Sequence, residues 1–247
     1  MHPFYDQLSF VIGHRGACGH APENTLASFR LAKQLGAKWI ETDVCISADG
    51  VPYIFHDDRL ERCTNGKGLI ARTHSSELDK LDAGLWYGEA FRGEAIPRLD
   101  TFLPALQQLG LNLNLEIKSP LGLEAQTTEA IAPIIRRLWN PQTPLILSSF
   151  TPHALISARK LLPEYPRGLN LDCIPSDWQA RMAECGAESI HFYDPFAEQN
   201  SITAVKNAGY KVLCFTINNP QRAAELKNMG VDAVFTDVPD ALLKQNP

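Results

Sequence analysis

Apolar runs of strand length alternate with segments of helical period along nearly all of this chain, and that rhythm leaves few folds open. Strands joined through helices run parallel, because each crossover returns the chain to the same end of the sheet. Strand-like runs lie at Leu8 to Gly13, Trp39 to Val44, Leu111 to Lys118, Leu145 to Ser149, Gly168 to Leu171, Glu188 to Phe192, Lys211 to Thr216 and Asp232 to Phe235. The first interval shows what separates them: from about Pro22, the residues Leu26, Phe29, Leu31, Ala32 and Leu35 recur at helical spacing and stop at Gly36. About eight such units in 247 residues predict an α/β fold of the (β/α)8 TIM-barrel type rather than an open doubly wound sheet. No Gly-x-Gly-x-x-Gly or phosphate-binding loop motif supports the open alternative.

The rhythm breaks once, after the second run. Ser47-Ala48-Asp49-Gly50 makes a turn, and Val51 to Phe55 returns as a hairpin arm ending at His56-Asp57, with Pro52 marking it as an edge. From Asp58 to Pro97 the chain is polar and punctuated by glycine, apart from an aromatic knot at Leu85-Trp86-Tyr87 and Phe91. So long an excursion is expected to be a small inserted subdomain, at about 58–97, within a single domain spanning 1–247. The knot is too apolar for an ordinary exposed loop. It is expected either to cover the functional site and select substrate, or to pack on another copy of the chain in a homo-oligomer.

Charge and composition exclude several kinds of partner. The formal net charge is -5, and no basic run is present to neutralise the phosphates of a nucleic acid or an anionic membrane. A small-molecule ligand and no nucleic acid are expected instead. The start, Met1-His2-Pro3-Phe4-Tyr5-Asp6, lacks the basic region and apolar stretch of a secretory signal, and no later apolar run could span a bilayer. A cytoplasmic protein without stable membrane insertion is therefore expected. Six cysteines lie scattered without Cys-x-x-Cys spacing, which predicts reduced, mostly buried thiols rather than a zinc site or a disulfide framework.

Polar residues concentrate where the apolar runs end. In Trp39-Ile40-Glu41-Thr42-Asp43-Val44, strand alternation puts Trp39, Glu41 and Asp43 on one side. Two carboxylates about 4 Å apart repel by roughly 4 kcal/mol at an effective dielectric near 20, and a divalent cation between them removes that cost. Taken alone, the pair also fits a solvated strand end. Leu111 to Lys118 repeats the pattern: Leu111, Leu113, Leu115 and Ile117 share one face, and Asn112, Asn114, Glu116 and Lys118 the other. A buried parallel strand is ordinarily apolar on both faces, so this polar side must meet other polar groups or a ligand. In a barrel the strand C-termini face one rim, where active sites lie. That rim collects His14 and Arg15, Glu41 and Asp43, and Glu116 and Lys118, with His56 joining if the hairpin arm rises above it. Three carboxylates from neighbouring strands suit a hard cation, Mg2+ or Ca2+, rather than zinc. His20, His74, His153 and His191 read as structural, and Asp237, before Pro239, reads as a helix cap.

His14-Arg15-Gly16, Pro22-Glu23-Asn24-Thr25, Glu41-Thr42-Asp43, His56-Asp57-Asp58, Glu116-Ile117-Lys118, Ser148-Ser149-Phe150 and Phe215-Thr216-Ile217-Asn218 occur in that order. Together they resemble the glycerophosphodiester phosphodiesterase family, in its short cytoplasmic bacterial form. The ordered set is specific although His-Arg-Gly alone is common. The resemblance implies hydrolysis of a glycerophosphodiester to glycerol 3-phosphate and an alcohol, in a barrel carrying an insertion like the Asp58 to Pro97 excursion. It implies metal ligands at Glu41, Asp43 and Glu116, acid/base histidines at His14 and His56, and phosphate contacts from Arg15 and Lys118. It also points to attack by the substrate's own 2-hydroxyl through a cyclic phosphate. Phe215 departs from the Tyr or Trp of many members. Two other functions fit some of these residues: a Schiff-base lyase using Lys118, and a non-catalytic binder using the Leu85-Trp86-Tyr87 surface.

Overall fold

The structure, a computed structural model, describes residues 1–120 and 122–244. Its strands are β1 (Val11–Gly13), β2 (Trp39–Ile46), β3 (Pro52–Ile54), β4 (Asn112–Ile117), β5 (Leu145–Ser149), β6 (Arg167–Leu171), β7 (Ser189–Tyr193), β8 (Lys211–Phe215) and β9 (Ala233–Thr236). The sheet runs β1-β9-β8-β7-β6-β5-β4-β2, and β1 pairs with β2 to close it into a parallel barrel. The antiparallel β3 hangs on β2 outside the ring. The helices are α1 (Leu26–Gln34), α2 (Ser75–Leu78), α3 (Leu99–Leu109), α4 (Glu124–Leu138), α5 (Pro152–Leu161), α6 (Trp178–Cys185), α7 (Gln199–Asn207), α8 (Pro220–Asn228) and α9 (Pro239–Leu243). Except for α2, they follow strands and connect or cover the wall, as the TIM-barrel pattern requires.

Local chemistry explains where the helices start and stop. Thr25 caps α1 by accepting from the Ser28 amide, and Asn219 caps α8 by accepting from the amides of Gln221 and Arg222. Gly110 ends α3 in the left-handed region at φ 64°, a conformation that costs a residue with a Cβ more than it costs glycine.

Strand alternation sorts side chains into two cores. Outward-facing Ile40, Val44, Leu113, Leu115 and Ile117 pack with Phe29, Phe102, Leu106, Ile131 and Ile135 of the helices. Full burial of each such aliphatic side chain stabilises the fold by about 1.5–3 kcal/mol. Inward-facing Ile12, Trp39, Ile146, Leu213, Ala233 and Phe235 fill the barrel with Tyr5. The first strand is shorter than the apolar run suggests, starting only at Val11, and ahead of it Pro3–Gln7 forms a 3-10 turn capped by His2. That turn places the Tyr5 hydroxyl 2.7 Å from Ser189 Oγ, and the Gln7 carbonyl accepts from Trp39 Nε1 at 2.8 Å.

Between β3 and α3, the chain forms the short α2 and two 3-10 turns, and packs Leu60, Cys63, Ile70, Leu78, Ala83 and Ile96 against Cys45, Tyr53 and Phe55. The Leu85-Trp86-Tyr87 knot belongs to this segment. Its rings meet edge to face, Trp86 with Tyr87 at 5.6 Å and Tyr87 with Phe91 at 5.5 Å. All six cysteines are free thiols. Among the described residues, no helix is long and apolar enough to cross a membrane.

Candidate active site at the strand C-termini

The C-terminal rim brings all seven predicted site residues together. His14, Arg15, Glu41, Asp43, His56 and Glu116 line one cavity of about 150 Å³. Lys118 lies in an adjoining, more open cavity of about 540 Å³ that shares His56 and Glu116. The register accounts for the convergence: Asp43 on β2 stands opposite Glu116 on β4, and Glu41 opposite Asn114. The hairpin arm does rise to the rim, because the Phe55 amide donates to the Asp43 carbonyl and carries His56 beside it.

One oxygen from each of Glu41, Asp43 and Glu116 lies within 4.8 Å of the others. Burial, reinforced by Asp43 and Glu116, pushes the Glu41 carboxyl well above its ordinary range. Burial and Asp43 push Glu116 up to about 8. Burial would raise Asp43 as well, but Arg15 foremost, with His56 and Lys118, holds it below the usual carboxylate range. Three carboxylates drawn together, Glu41 and Asp43 buried and Glu116 half-buried, form an all-oxygen donor set that matches a hard divalent cation.

Each histidine is held by an aspartate. His14 Nδ1 lies 2.7 Å from Asp237 Oδ1, and its Nε2 faces the cavity 3.9 Å from Glu41. An ionised carboxylate only accepts, so the His14 proton sits on Nδ1. Asp237 in turn accepts from Cys18 Sγ at 2.9 Å and from Asn218 Nδ2 at 2.6 Å. Its burial favours the neutral acid, but these bonds, His14 foremost, keep it well below the ordinary carboxylate range. His56 repeats the arrangement: Nδ1 is 2.6 Å from Asp57 Oδ1, and Lys118 Nζ donates to its Nε2 at 3.2 Å. Burial pushes His56 below the usual imidazole range; Asp43 opposes that shift, while Arg15 and Lys118 add to it.

The motif around Glu23 holds these groups in place. Arg15 has φ 49°, which turns its amide toward Glu41 Oε2 at 3.1 Å. Gly16 follows at φ 89°, where a Cβ would sit 2.4 Å from Ser28 Oγ. The Arg15 Nη1 donates to Glu23 at 2.8 Å, and Arg62 links Glu23 to Asp57 through bonds of 2.6–2.8 Å. Arg15 Nε, 3.5 Å from Asp43, is buried without a hydrogen-bond partner and so retains a donor for an anion. Asn24 donates to Asp43 at 3.0 Å and accepts from Thr42 at 2.6 Å.

Sequence reasoning missed several of these partners. Asp237 is not a helix cap: Val238 occupies the cap position of α9, and the Asp237 side chain belongs to His14. The missed signal was the strand pairing Gly13↔Thr236, which makes the residues after β1 and β9 neighbours. Asp57 was legible beside His56, yet its role requires Arg62 to hold it. His191 is buried in the cavity wall, and that burial brings its pKa down to about 3. His20 and His74 pair with Asp240 and Asp49 away from the cavity. Neither cavity is lined by Leu85, Trp86 or Tyr87, whereas residues 56–59 line the larger one.

Known proteins agree with this architecture. A glycerophosphodiester phosphodiesterase of Caldanaerobacter subterraneus subsp. tengcongensis is 33% identical over 237 residues, covering 95% of this chain and 96% of that one. An Oleispira antarctica phosphodiesterase solved in complex with its product sn-glycerol-3-phosphate is 46% identical, covers 98% of each chain and superimposes with a TM-score of 0.96. A glycerophosphodiester phosphodiesterase from Agrobacterium tumefaciens is 32% identical with a TM-score of 0.80, covering 96% of this chain and all of that one, 100%. Residues 14–241 match the glycerophosphoryl diester phosphodiesterase family, and the chain belongs to it.

Proposed function

We propose that the protein hydrolyses glycerophosphodiesters to glycerol 3-phosphate and an alcohol, using a divalent cation, Mg2+ or Ca2+, held by Glu41, Asp43 and Glu116. The observation that carries this reading is the pair of aspartate-held histidines, His14 and His56, on one cavity with three carboxylates. Charge balance supports it. A divalent ion, Arg15 and Lys118 together offset three carboxylates and the single charge of a phosphodiester, whereas the carboxylates alone would repel it. When bound, the cation supplies Lewis-acid stabilisation of charge gathering on the phosphoryl oxygens.

The protein's own groups orient the phosphate and move protons. Arg15 Nε and Lys118 Nζ bind its oxygens, one histidine takes a proton from the attacking hydroxyl, and the other gives one to the departing alcohol. Two candidate protein nucleophiles at the rim are committed elsewhere. The Cys18 thiol donates to Asp237 and burial keeps it protonated, and the Ser149 hydroxyl is committed to the Ile117 carbonyl at 2.7 Å. The substrate's 2-hydroxyl then attacks phosphorus with the high effective concentration of an intramolecular reaction, and the histidines reverse roles when water opens the cyclic phosphate.

The test is hydrolysis of glycerophosphocholine and glycerophosphoethanolamine with and without chelator. Activity should vanish in chelator and return with Mg2+ or Ca2+; undiminished hydrolysis in chelator, or none in the presence of either ion, would overturn the reading. An analogue of glycerophosphocholine lacking only the 2-hydroxyl should react at least about 100-fold more slowly. Equal rates would leave water as the nucleophile.

A further inference from the structure

Two buried side-chain oxygens on the cavity lack any partner. Asn114 on β4 is 1% exposed and Asn170 on β6 is 4% exposed, and both line the 150 Å³ cavity with the histidines and carboxylates. Asn170 Nδ2 donates to Glu116 Oε2 at 2.9 Å, and Asn114 Nδ2 donates to Ser148 Oγ at 2.9 Å. Neither Oδ1 finds a hydrogen bond. With its amide nitrogen donating to Glu116, Asn170 turns its oxygen to the other side. Buried acceptors are normally satisfied, and two unsatisfied ones on one small cavity call for a donor that arrives with a ligand.

We propose that Asn114 and Asn170 form a neutral acceptor pair that reads the free hydroxyls at the glyceryl end of the substrate. The assignment rests on the site being a glycerophosphodiester phosphodiesterase, and it says which end of the substrate enters which cavity. An amide oxygen attracts a hydroxyl and repels a phosphoryl oxygen, so these two residues select a polyol rather than a phosphate. Being uncharged, they add nothing to the negative charge that the incoming phosphodiester already meets. The small cavity is walled by Phe215 and Phe235, Phe150 borders both cavities, and the adjoining 540 Å³ cavity is larger and carries Asp57, Asp58, Arg59 and Lys118. The constant glyceryl group therefore belongs in the smaller cavity, and the variable alcohol in the larger one.

The experiment compares two probes by calorimetry on the Mg2+-loaded protein: sn-glycerol 3-phosphate and propyl phosphate, which keeps the phosphate and the carbon chain but has no hydroxyls. The wild type should prefer the polyol by at least about 30-fold. Asn114→Leu and Asn170→Leu should each lose about tenfold of sn-glycerol 3-phosphate affinity and none for propyl phosphate. Asn114→Ser and Asn170→Ser serve if the leucine variants fail to fold. Mg2+ titration of each variant separates hydroxyl recognition from support of Glu116. Undiminished preference in both variants overturns the assignment, as does loss of Mg2+ affinity with preference retained, because the oxygens would then face the cation's surroundings. Normal glycerophosphocholine hydrolysis by the wild type alongside either result would leave the reading of the site standing and remove only this pair.

Discussion

Asp237 determines what His14 can do. Its carboxylate accepts the Nδ1 proton, so the Nε2 lone pair or proton is the one presented to the substrate. Asp237→Asn lets an amide N–H face Nδ1 and favours the other tautomer. We expect kcat to fall by about 10²–10⁴-fold with KM and Mg2+ affinity nearly unchanged, read by steady-state kinetics and metal titration. Cys18→Ala, which removes one of the donors holding Asp237, should cost no more than about tenfold in the same assay. Glu116 answers to a different physics. Removing its charge relieves repulsion on Glu41 and Asp43 but deprives the cation of a ligand. Glu116→Gln should raise the melting temperature in chelator by about 2–4 °C and weaken Mg2+ binding by at least about tenfold. Calorimetry showing wild-type Mg2+ affinity in this variant would remove Glu116 from the ligand set.

At the scale of elements, β4 shows why part of the site could be read directly. Its period of two sends Leu113, Leu115 and Ile117 to the helices and Asn114 and Glu116 to the cavity, and periodicity is a local property of the chain. The segment between β3 and α3 was less legible. An aromatic cluster in a long polar stretch suggests a cover for the site, but its rings are satisfied by one another, and Trp86 Nε1 donates to the Ala83 carbonyl at 2.9 Å. Trp86 remains 40% exposed, so the loss in Trp86→Ala is that of a partly buried ring. The variant should lose about 1–2 kcal/mol in chemical denaturation and keep wild-type kcat/KM for glycerophosphocholine within twofold. A changed ratio of rates between choline and ethanolamine substrates would instead put the knot at the substrate.

For the whole molecule, the carboxylate cluster ties stability to pH and to the cation. Without metal, Glu116 is raised from its ordinary 4.5 to about 8, so the folded protein binds more protons than the unfolded chain between those values. Stability of the metal-free protein therefore falls as pH rises from about 4.5 to 8, and a cation that replaces the proton restores it. The gap in melting temperature between Mg2+ and chelator should widen steadily from pH 5 to pH 8 in calorimetric scans, and a gap independent of pH would contradict the coupling. Barrel closure set this cluster in its full surroundings. Strand runs, helical spacing, the polar face of β4 and the carboxylates of β2 were determined by the sequence itself, because each follows from the covalent spacing of near neighbours. The tertiary structure alone decided that Asp237 supports His14 across 223 positions and Asn170 supports Glu116 across 54. It also decided that Tyr5 fills the barrel beside Ser189. Those partners meet only when β1 pairs with β9 and the strands close on themselves, since no local periodicity encodes which distant strand becomes a neighbour.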